Sequence, residues 1–180
     1  DQYYPGTKLA FTVYNFGGGD HISGGVGQAD VLGIFAENGV YFSSLWPIGQ
    51  NQYQLAAINM FTNYDGRGSG FGNTLVKSES SDRNTVSAYS ATDENGDLRV
   101  ILTNKSLHEK TTISLTIGGE TGYSCADVYE LYGDSTDIRS ADPAELDGRV
   151  LEYSLKPLSV TELVFKAPQP VQRPEEQPDK

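Results

Sequence analysis

The stretch Lys8-Leu-Ala-Phe-Thr-Val-Tyr-Asn15 opens the pattern that decides the fold. Its apolar residues alternate with small or aromatic ones, so side chains on both of its faces can be buried. A strand that is buried on both faces is typical of a parallel sheet. The stretch Val40-Tyr-Phe-Ser-Ser-Leu-Trp46 predicts a second strand, which Pro47 ends.

A helix is predicted after each of these strands. From Gly25 to Glu37 apolar residues recur at helical spacing, and Asn38-Gly39 is a good helix stop. A second helix is predicted from Gln50 to Tyr64. This βαβα order with short connections builds parallel sheets and barrels. Because two strands do not make a stable parallel sheet alone, the segment is expected either to dock on something missing from the chain or to be poorly ordered.

After a glycine-rich link from Asp65 to Gly72 the pattern becomes all β. The turn Asp93-Glu-Asn-Gly-Asp97 contains Asn-Gly, a strong hairpin signal between two of the predicted strands. Several short strands with frequent turns indicate a β-sandwich. The predicted strands are Thr74–Glu79, Thr85–Thr92, Leu98–Asn104, Thr111–Ile117, Ser124–Tyr132, Arg149–Leu155 and Ser159–Lys166.

Charge and composition narrow the class of partner. The chain of 180 residues carries a net charge of −11 and a single cysteine, Cys125, which leaves no intrachain disulfide. Phosphate backbones attract Lys and Arg, so this chain would repel nucleic acid, and anionic membranes are disfavoured for the same reason. A neutral polysaccharide fits the charge, although acidity also serves solubility alone. No apolar run reaches the roughly 20 residues of a membrane span, and no signal peptide is expected at Asp1.

Catalytic groups of barrel enzymes lie at the C-terminal ends of the strands. A glycosidase needs two carboxylates there: one protonates the leaving oxygen, and the other attacks the sugar or activates water. The strand end Thr12-Val13-Tyr14-Asn15 offers no carboxylate. From its residue type alone, Val13 is an ordinary strand residue.

Two further features near the strand ends have alternative interpretations. Trp46 is suited to stacking on the C–H face of a sugar ring, but a lone tryptophan near a strand end also fits a core position. Asp20-His21 lies in the loop beside the strand end, where it could contact substrate or orient another group. Alternatively, Asp20 or Ser23 caps the following helix, which is the interpretation that we favour.

Motifs for cofactors are not recognisable in the sequence. Neither Gly17-Gly18-Gly19 nor the stretch Gly66–Gly72 has the residues or the spacing of a nucleotide-binding loop. His108 has no second His or Cys at ligand spacing, so a zinc site is not expected. No cofactor is predicted. Calcium is left open because carboxylates are plentiful, but no loop with clear ligand spacing supports it.

A set of stretches carries a family signature. The longest and most specific is Tyr3-Tyr-Pro-Gly-Thr-Lys-Leu-Ala-Phe-Thr-Val-Tyr-Asn-Phe-Gly-Gly-Gly-Asp-His-Ile-Ser-Gly-Gly25. The others are Gln28-Ala-Asp-Val-Leu-Gly-Ile-Phe35, Ser44-Leu-Trp-Pro47, the predicted helix Asn51–Tyr64 and Leu158-Ser-Val-Thr-Glu-Leu-Val-Phe165. Together they resemble glycoside hydrolase family 44, a family of endoglucanases and xyloglucanases, over roughly residues 1–166.

The resemblance implies a mixed fold, in which a C-terminal strand–helix–strand–helix fragment of a (β/α)8 barrel is followed by an all-β sandwich. Residues 1–72 are then similar to the last two βα units of the barrel, and residues 73–166 to most of the sandwich. The sandwich is expected to pack against the barrel and cover its apolar side. Residues 167–180 are rich in proline and contain almost nothing apolar, which predicts a disordered linker.

The resemblance also implies a retaining, endo-acting enzyme that cleaves the β-1,4-glucan backbone of cellulose or xyloglucan. The family nucleophile is a glutamate, and Val13 stands at that position; a valine has no lone pair to attack an anomeric carbon. The acid/base would lie on an earlier strand that the chain lacks, so the chain is expected to be inactive alone. Trp46, which matches a tryptophan of the sugar-binding cleft, Tyr14 and His21 are the candidate substrate-binding residues.

A non-catalytic alternative stays open, in which the sandwich is a carbohydrate-binding or structural module. Carbohydrate-binding sandwiches usually display a row of exposed aromatic residues, although most of the tyrosines here fit alternating core positions. Under either hypothesis we expect a β-glucan polysaccharide as partner, no nucleic acid, no membrane, and an extracellular, secreted protein of bacterial type. Residues 1–72 are expected to need the rest of the barrel to fold fully. The candidate tyrosines are Tyr89, Tyr123, Tyr129, Tyr132 and Tyr153.

Overall fold

The computed structural model describes residues 5–47 and 49–168, and its N-terminal part has the predicted strand–helix–strand–helix order. Strands β1 and β2 pair in parallel, as the βαβα interpretation requires. Helix α1 begins at Ile22 rather than at Gly25, because His21 supplies its N-cap. The elements of this part are β1 (Leu9–Tyr14), α1 (Ile22–Glu37), β2 (Val40–Leu45) and α2 (Gln52–Thr62).

The outer surface of the parallel pair is apolar and exposed. The sequence predicts burial on both faces of β1, yet Leu9 and Phe11 are exposed, and so are Tyr41 and Phe42 of β2. The reason lies in the sheet: within the described residues it has two strands, and neither edge has a further partner. Exposed apolar area of this kind marks a surface that other protein normally covers.

The remaining described residues are all β and form two antiparallel sheets. The larger sheet is 6-stranded with the order β3-β4-β5-β10-β7-β8, and the smaller pairs β6 with β9. The predicted Asp93–Asp97 turn joins β4 to β5, with the amide of Asp93 donating to the carbonyl of Asp97. The strands are β3 (Thr74–Val76), β4 (Val86–Thr92), β5 (Leu98–Asn104), β6 (Thr111–Thr116), β7 (Cys125–Tyr132), β8 (Arg139–Glu145), β9 (Val150–Leu155) and β10 (Ser159–Phe165).

Strand β8 is absent from the sequence-based prediction. Its residues, Arg139-Ser-Ala-Asp-Pro-Ala-Glu145, include a proline and lack large apolar side chains, which is why they do not read as a strand. The structure resolves this conflict by position: β8 lies at the edge of the larger sheet, where Pro143 is not required to donate to a further strand. Strand β3, at the opposite edge, ends at Val76 rather than at the predicted Glu79.

The larger sheet is covered on both faces. On one face, helices α1 and α2 pack against it through a core that includes Val26, Met60 and Val160. On the other face, β6 and β9 close a second core that includes Leu151 and Leu163. Because successive residues of a strand point to opposite faces, β10 contributes to both cores and is buried along its whole length.

Helix α1 docks on the sheet by close approach and by a buried charge. Gly33 has no side chain at the point where α1 meets Tyr89 of β4. The Tyr89 hydroxyl donates to Asp30 Oδ1 at 2.7 Å, and Lys105 Nζ lies 2.9 Å from Asp30 Oδ2. Burial acts to raise the pKa of Asp30, but the hydrogen bonds from Lys105 and Tyr89 outweigh it and hold that pKa below its ordinary value.

No helix in residues 5–47 and 49–168 is long and apolar enough to cross a membrane. The predicted linker, residues 167–180, lies outside the described residues from position 169 onward.

Candidate functional site

The ends of β1 and β2 lie side by side and bring the predicted site residues together. Tyr14 pairs with Leu45, and the amide of the following residue, Trp46, donates to the carbonyl of Tyr14 at 2.8 Å. The side chain of Asn15 ties the same two segments together, because its Nδ2 donates to the carbonyl of Trp46 at 2.6 Å. Residues from two βα units thus share one edge, the edge at which parallel βα folds place their sites.

Val13 and Trp46 are both exposed at this edge. Val13 is 61% exposed and Trp46 is 57% exposed, and neither belongs to the cores of the described residues. The isopropyl group of Val13 can neither attack a carbon atom nor transfer a proton. The strands themselves, Leu9–Tyr14 and Val40–Leu45, contain no Asp or Glu. The edge therefore presents a flat aromatic surface without a carboxylate on either strand.

Tyr14 is turned into the protein rather than toward this exposed edge. Its side chain is buried, and its hydroxyl accepts a hydrogen bond of 2.7 Å from Nε2 of Gln28 in α1. The ring packs edge-on against Phe35 of the same helix, with ring centroids 5.3 Å apart. In this structure Tyr14 holds the strand end against α1.

His21 is the N-cap of helix α1. Its backbone is extended, and its Nδ1 accepts from the amide of Ser23 at 3.2 Å and lies 2.9 Å from the Ser23 hydroxyl. The predicted cap residues Asp20 and Ser23 are therefore wrong, and the missed signal is that an imidazole nitrogen can replace a carboxylate or hydroxyl oxygen as acceptor. The exposed ring of His21 is committed to this local turn.

A buried amide network behind the strand ends has no counterpart in the sequence analysis. Gln54 of α2 donates from Nε2 to Asn15 Oδ1 at 3.3 Å and to the carbonyl of Gly17 at 3.2 Å. Gln28 and Gln54 are each 2% exposed. Their contacts join residues that are far apart in the chain, so only a buried polar position on a helix could have signalled them.

A cavity of about 240 Å³ opens beside this network. It lies between the loop that follows β1 and the two helices. Its lining residues are Phe16, Gly17, Gly18, Ser23, Gly24, Gly27, Gln28 and Gln54. None of these side chains is charged, so the cavity suits a neutral group.

The described residues contain no group of three or more His, Cys, Asp or Glu placed to hold a metal ion. The most unusual carboxyl lies far from the strand ends, in the core beneath the helices. Glu162 of β10 is fully buried, and neither of its oxygens has a hydrogen-bond partner in the described part of the chain. Burial raises its pKa well above the ordinary range, and the charge of Arg99 opposes that shift only in part.

Known proteins share this sequence and structure. Endoglucanase A of Paenibacillus lautus is 39% identical over 169 residues, which are 92% of this chain and 24% of that protein. The structure of a glycoside hydrolase family 44 endoglucanase, Cel44A of Clostridium thermocellum, superposes with a TM-score of 0.88 at 40% identity, over 92% of this chain and 33% of that one. A family 44 xyloglucanase of Paenibacillus polymyxa gives a TM-score of 0.89 at 35% identity, with the same shares of the two chains.

No protein-family model matches the chain. The chain spans about a quarter of the curated relative and about a third of the two solved structures. The region of similarity includes the strand ends and the larger sheet, because it covers almost all of the described residues.

Proposed function

The chain corresponds to the C-terminal portion of glycoside hydrolase family 44 proteins, and we propose that its parent function is the hydrolysis of β-1,4-glucans such as cellulose or xyloglucan by a retaining, endo-acting mechanism. The observation that carries this proposal is the edge shared by β1 and β2, where Trp46 is exposed beside the strand end of Val13. A planar aromatic ring at such an edge suits the C–H face of a pyranose.

In this proposal β1, α1, β2 and α2 are the last two βα units of a (β/α)8 barrel, and the sheets that follow belong to a β-sandwich. The parallel pairing of β1 with β2 supports this assignment, and so do their open edges. The exposed apolar side chains of both strands, Phe11 and Phe42 among them, are those that further barrel strands and the barrel interior would cover.

The chain as given is proposed to bind glucan without cleaving it. Retention of configuration requires a nucleophilic carboxylate and an acid/base carboxyl about 5–5.5 Å apart. Val13 stands where the nucleophile is expected, and the strands β1 and β2 offer no carboxyl for the second role. The partner that remains is the polysaccharide itself, held by contacts such as the one assigned to Trp46. An extracellular location follows from a polymeric substrate and is part of the proposal.

The alternative of a sandwich that binds carbohydrate through its tyrosines has less support. Tyr89 is buried, and its hydroxyl bonds Asp30. The hydroxyl of Tyr123 bonds the carbonyl of Gly96, and that of Tyr153 bonds Glu130. These side chains are built into the sheets rather than displayed in a row. The structural role of the sheets is better supported, because they cover the inner faces of α1 and α2.

The test uses the fact that Trp46 is the single tryptophan of the chain, so that intrinsic tryptophan fluorescence reports this site alone. Cellotetraose and a xyloglucan oligosaccharide are titrated into the pure chain while reducing sugar is measured with both polymers. We expect a saturable fluorescence change and no release of reducing ends. Maltotetraose, whose α-linkages curve the chain differently, serves as the control ligand. Absence of any fluorescence response would overturn the assignment of Trp46, and turnover would overturn the assignment of Val13.

A further inference from the structure

The neutral cavity between the loop after β1 and the helices has the composition of a sugar site. We propose that it is a subsite that takes one neutral, hydroxyl-bearing sugar ring or ring substituent of the glucan. The proposal rests on the proposed function for the class of ligand, but it concerns residues that are distinct from Trp46. It is carried by Gln28, by Phe16 and by the glycine walls.

Gln28 presents a buried hydrogen-bonding atom that the described residues leave without a partner. Its Nε2 donates to the hydroxyl of Tyr14, and its Oε1 has no partner among residues 5–47 and 49–168. Tyr14 does not line the cavity, whereas Gln28 does, so we infer that the amide oxygen is on the cavity side. An unpaired buried acceptor costs about 1–3 kcal/mol, which a donor in the cavity would recover.

The second amide fixes the far wall. Nε2 of Gln54 is committed to two acceptors, Asn15 Oδ1 and the carbonyl of Gly17, so the orientation of this amide is determined. Its Oε1 lies against Gly19, where an added Cβ would be 2.9 Å from it. Gln54 is therefore a wall of the cavity, and Gln28 supplies the free acceptor.

A hydroxyl is the group that satisfies this site in either orientation of the Gln28 amide. Oxygen and nitrogen of an amide are assigned from the hydrogen-bond network, and the Tyr14 hydroxyl can donate as well as accept. If the amide were reversed, a donor rather than an acceptor would face the cavity. A sugar hydroxyl both donates and accepts, whereas an anion or a metal ion would find no charge to pair with.

The remaining walls suit the body of a sugar ring. Phe16 is 68% exposed at the mouth of the cavity and offers an aromatic face for C–H groups. Gly17, Gly18, Gly24 and Gly27 let a ligand approach the backbone closely. The volume of about 240 Å³ is smaller than the roughly 300–1,000 Å³ of sites for drug-sized ligands, which favours a single ring over an extended chain.

The subsite is tested by nuclear magnetic resonance on the whole, isotope-labelled chain, with cellotriose as the probe. The side-chain amide of Gln28 reports the cavity, and the indole N–H of Trp46 reports the edge. We expect both signals to shift saturably. A Gln28 signal that stays still while Trp46 responds would overturn the subsite and leave the glucan proposal standing. A Gln28 response without one from Trp46 would support the subsite against that proposal, and silence from both overturns both.

Gly27 offers a way to fill the cavity from its helical wall. An added Cβ at Gly27 meets nothing within 4 Å, so a larger side chain can enter the open space without a backbone clash. Gly27→Leu is expected to weaken cellotriose binding at least about tenfold, as measured by the Gln28 shift, and Gly27→Ala less than about threefold. Equal affinity of wild type and Gly27→Leu would overturn the proposal.

Phe16→Ala provides a second variant that does not touch the core, because the Phe16 side chain is exposed. Loss of the aromatic face is expected to weaken binding by about fivefold to tenfold while thermal unfolding stays unchanged. Unaltered cellotriose affinity in Phe16→Ala, together with a shift of Gln28 that does not saturate, would identify water rather than sugar as the occupant of the cavity.

Discussion

Gly33 of α1 lies directly against the ring of Tyr89 of β4, so close that a Cβ on Gly33 would come within 2.3 Å of the ring atoms. The ring is itself fixed, because Tyr89 is buried and its hydroxyl bonds Asp30 of the same helix. This contact sets how near α1 can lie to the sheet.

We expect Gly33→Ala to destabilise the chain. A methyl group at this position must displace either the helix or the ring, and overpacking of this kind costs about 1–3 kcal/mol. The gain in helix propensity, up to about 1 kcal/mol, offsets only part of that cost. The free energy of unfolding in urea measures the net effect.

Gly27→Ala is the matched control on the same helix, because the added Cβ meets nothing within 4 Å. It is expected to stabilise α1 by about 0.5–1 kcal/mol through helix propensity alone. If both alanine variants changed stability by the same amount, the close approach of Gly33 to Tyr89 would not limit the packing of α1.

Glu162 predicts an unusual dependence of stability on pH. Its pKa in the folded protein is raised well above the model value of 4.5, chiefly by burial, so the folded state keeps a proton that the unfolded state releases. Stability therefore falls as the pH rises above the unfolded pKa, until the pH reaches the folded one. Arg99 and Asp65 are the charged groups that act on this carboxyl, with opposite signs.

The variant Glu162→Gln removes this titration. We expect the difference in unfolding free energy between variant and wild type to grow in favour of the variant between about pH 5 and pH 8. Glu152→Gln is the control, because it removes an exposed carboxyl from β9. Parallel pH profiles of wild type and Glu162→Gln would contradict the buried, protonated carboxyl.

Gln54 is expected to position Trp46 without touching it. Its amide holds Asn15, and Asn15 in turn holds the carbonyl of Trp46. In Gln54→Leu we expect lower fluorescence anisotropy of Trp46 and cellotetraose binding about threefold to tenfold weaker, the equivalent of about one lost hydrogen bond.

Gln52→Leu is the matched control, since Gln52 lies on the same helix and is exposed. It should leave both the anisotropy and the affinity unchanged. An effect of the same size in both variants would mean that α2, rather than the amide network, determines the position of Trp46.

Val13→Glu alone is expected to release no reducing sugar from xyloglucan. A carboxylate at this strand end supplies one of the two groups that a retaining mechanism requires, and the variant still lacks its partner. Activity is expected when the variant is combined with a preceding barrel segment of a family 44 relative, and not when wild type is combined with the same segment. Turnover by the isolated variant would show that a carboxyl of this chain acts as the acid.

The sequence pattern predicts the strands that carry large apolar side chains. Strand β5 has the predicted bounds, Leu98–Asn104, and β1 and β2 differ from their predictions by a residue or two at their ends. These signals are local, since each residue type states its own preference. Strand β8 was not predictable in this way, because Pro143 is acceptable only at an edge and the edge is a property of the whole sheet.

The site divides along the same line. The exposed position of Val13 and Trp46 at neighbouring strand ends agrees with the barrel logic of the sequence analysis. The links from Gln28 to Tyr14 and from Gln54 to Asn15 join helices to loops across the fold. No periodicity or motif encodes such contacts, and the N-cap at His21 was missed because the expected capping residues stood on either side of it.

Strand β10 pairs with β5 on one side and with β7 on the other, and it is the last strand of the described chain. During synthesis the two halves of the larger sheet, β3-β4-β5 and β7-β8, leave the ribosome with a gap where their central partner belongs. The sheet closes when residues 159–165 emerge, and until then the inner edges of both halves are open to pairing with other chains. A nascent chain stalled or shortened before Ser159 would therefore be an aggregation hazard rather than a slightly smaller protein.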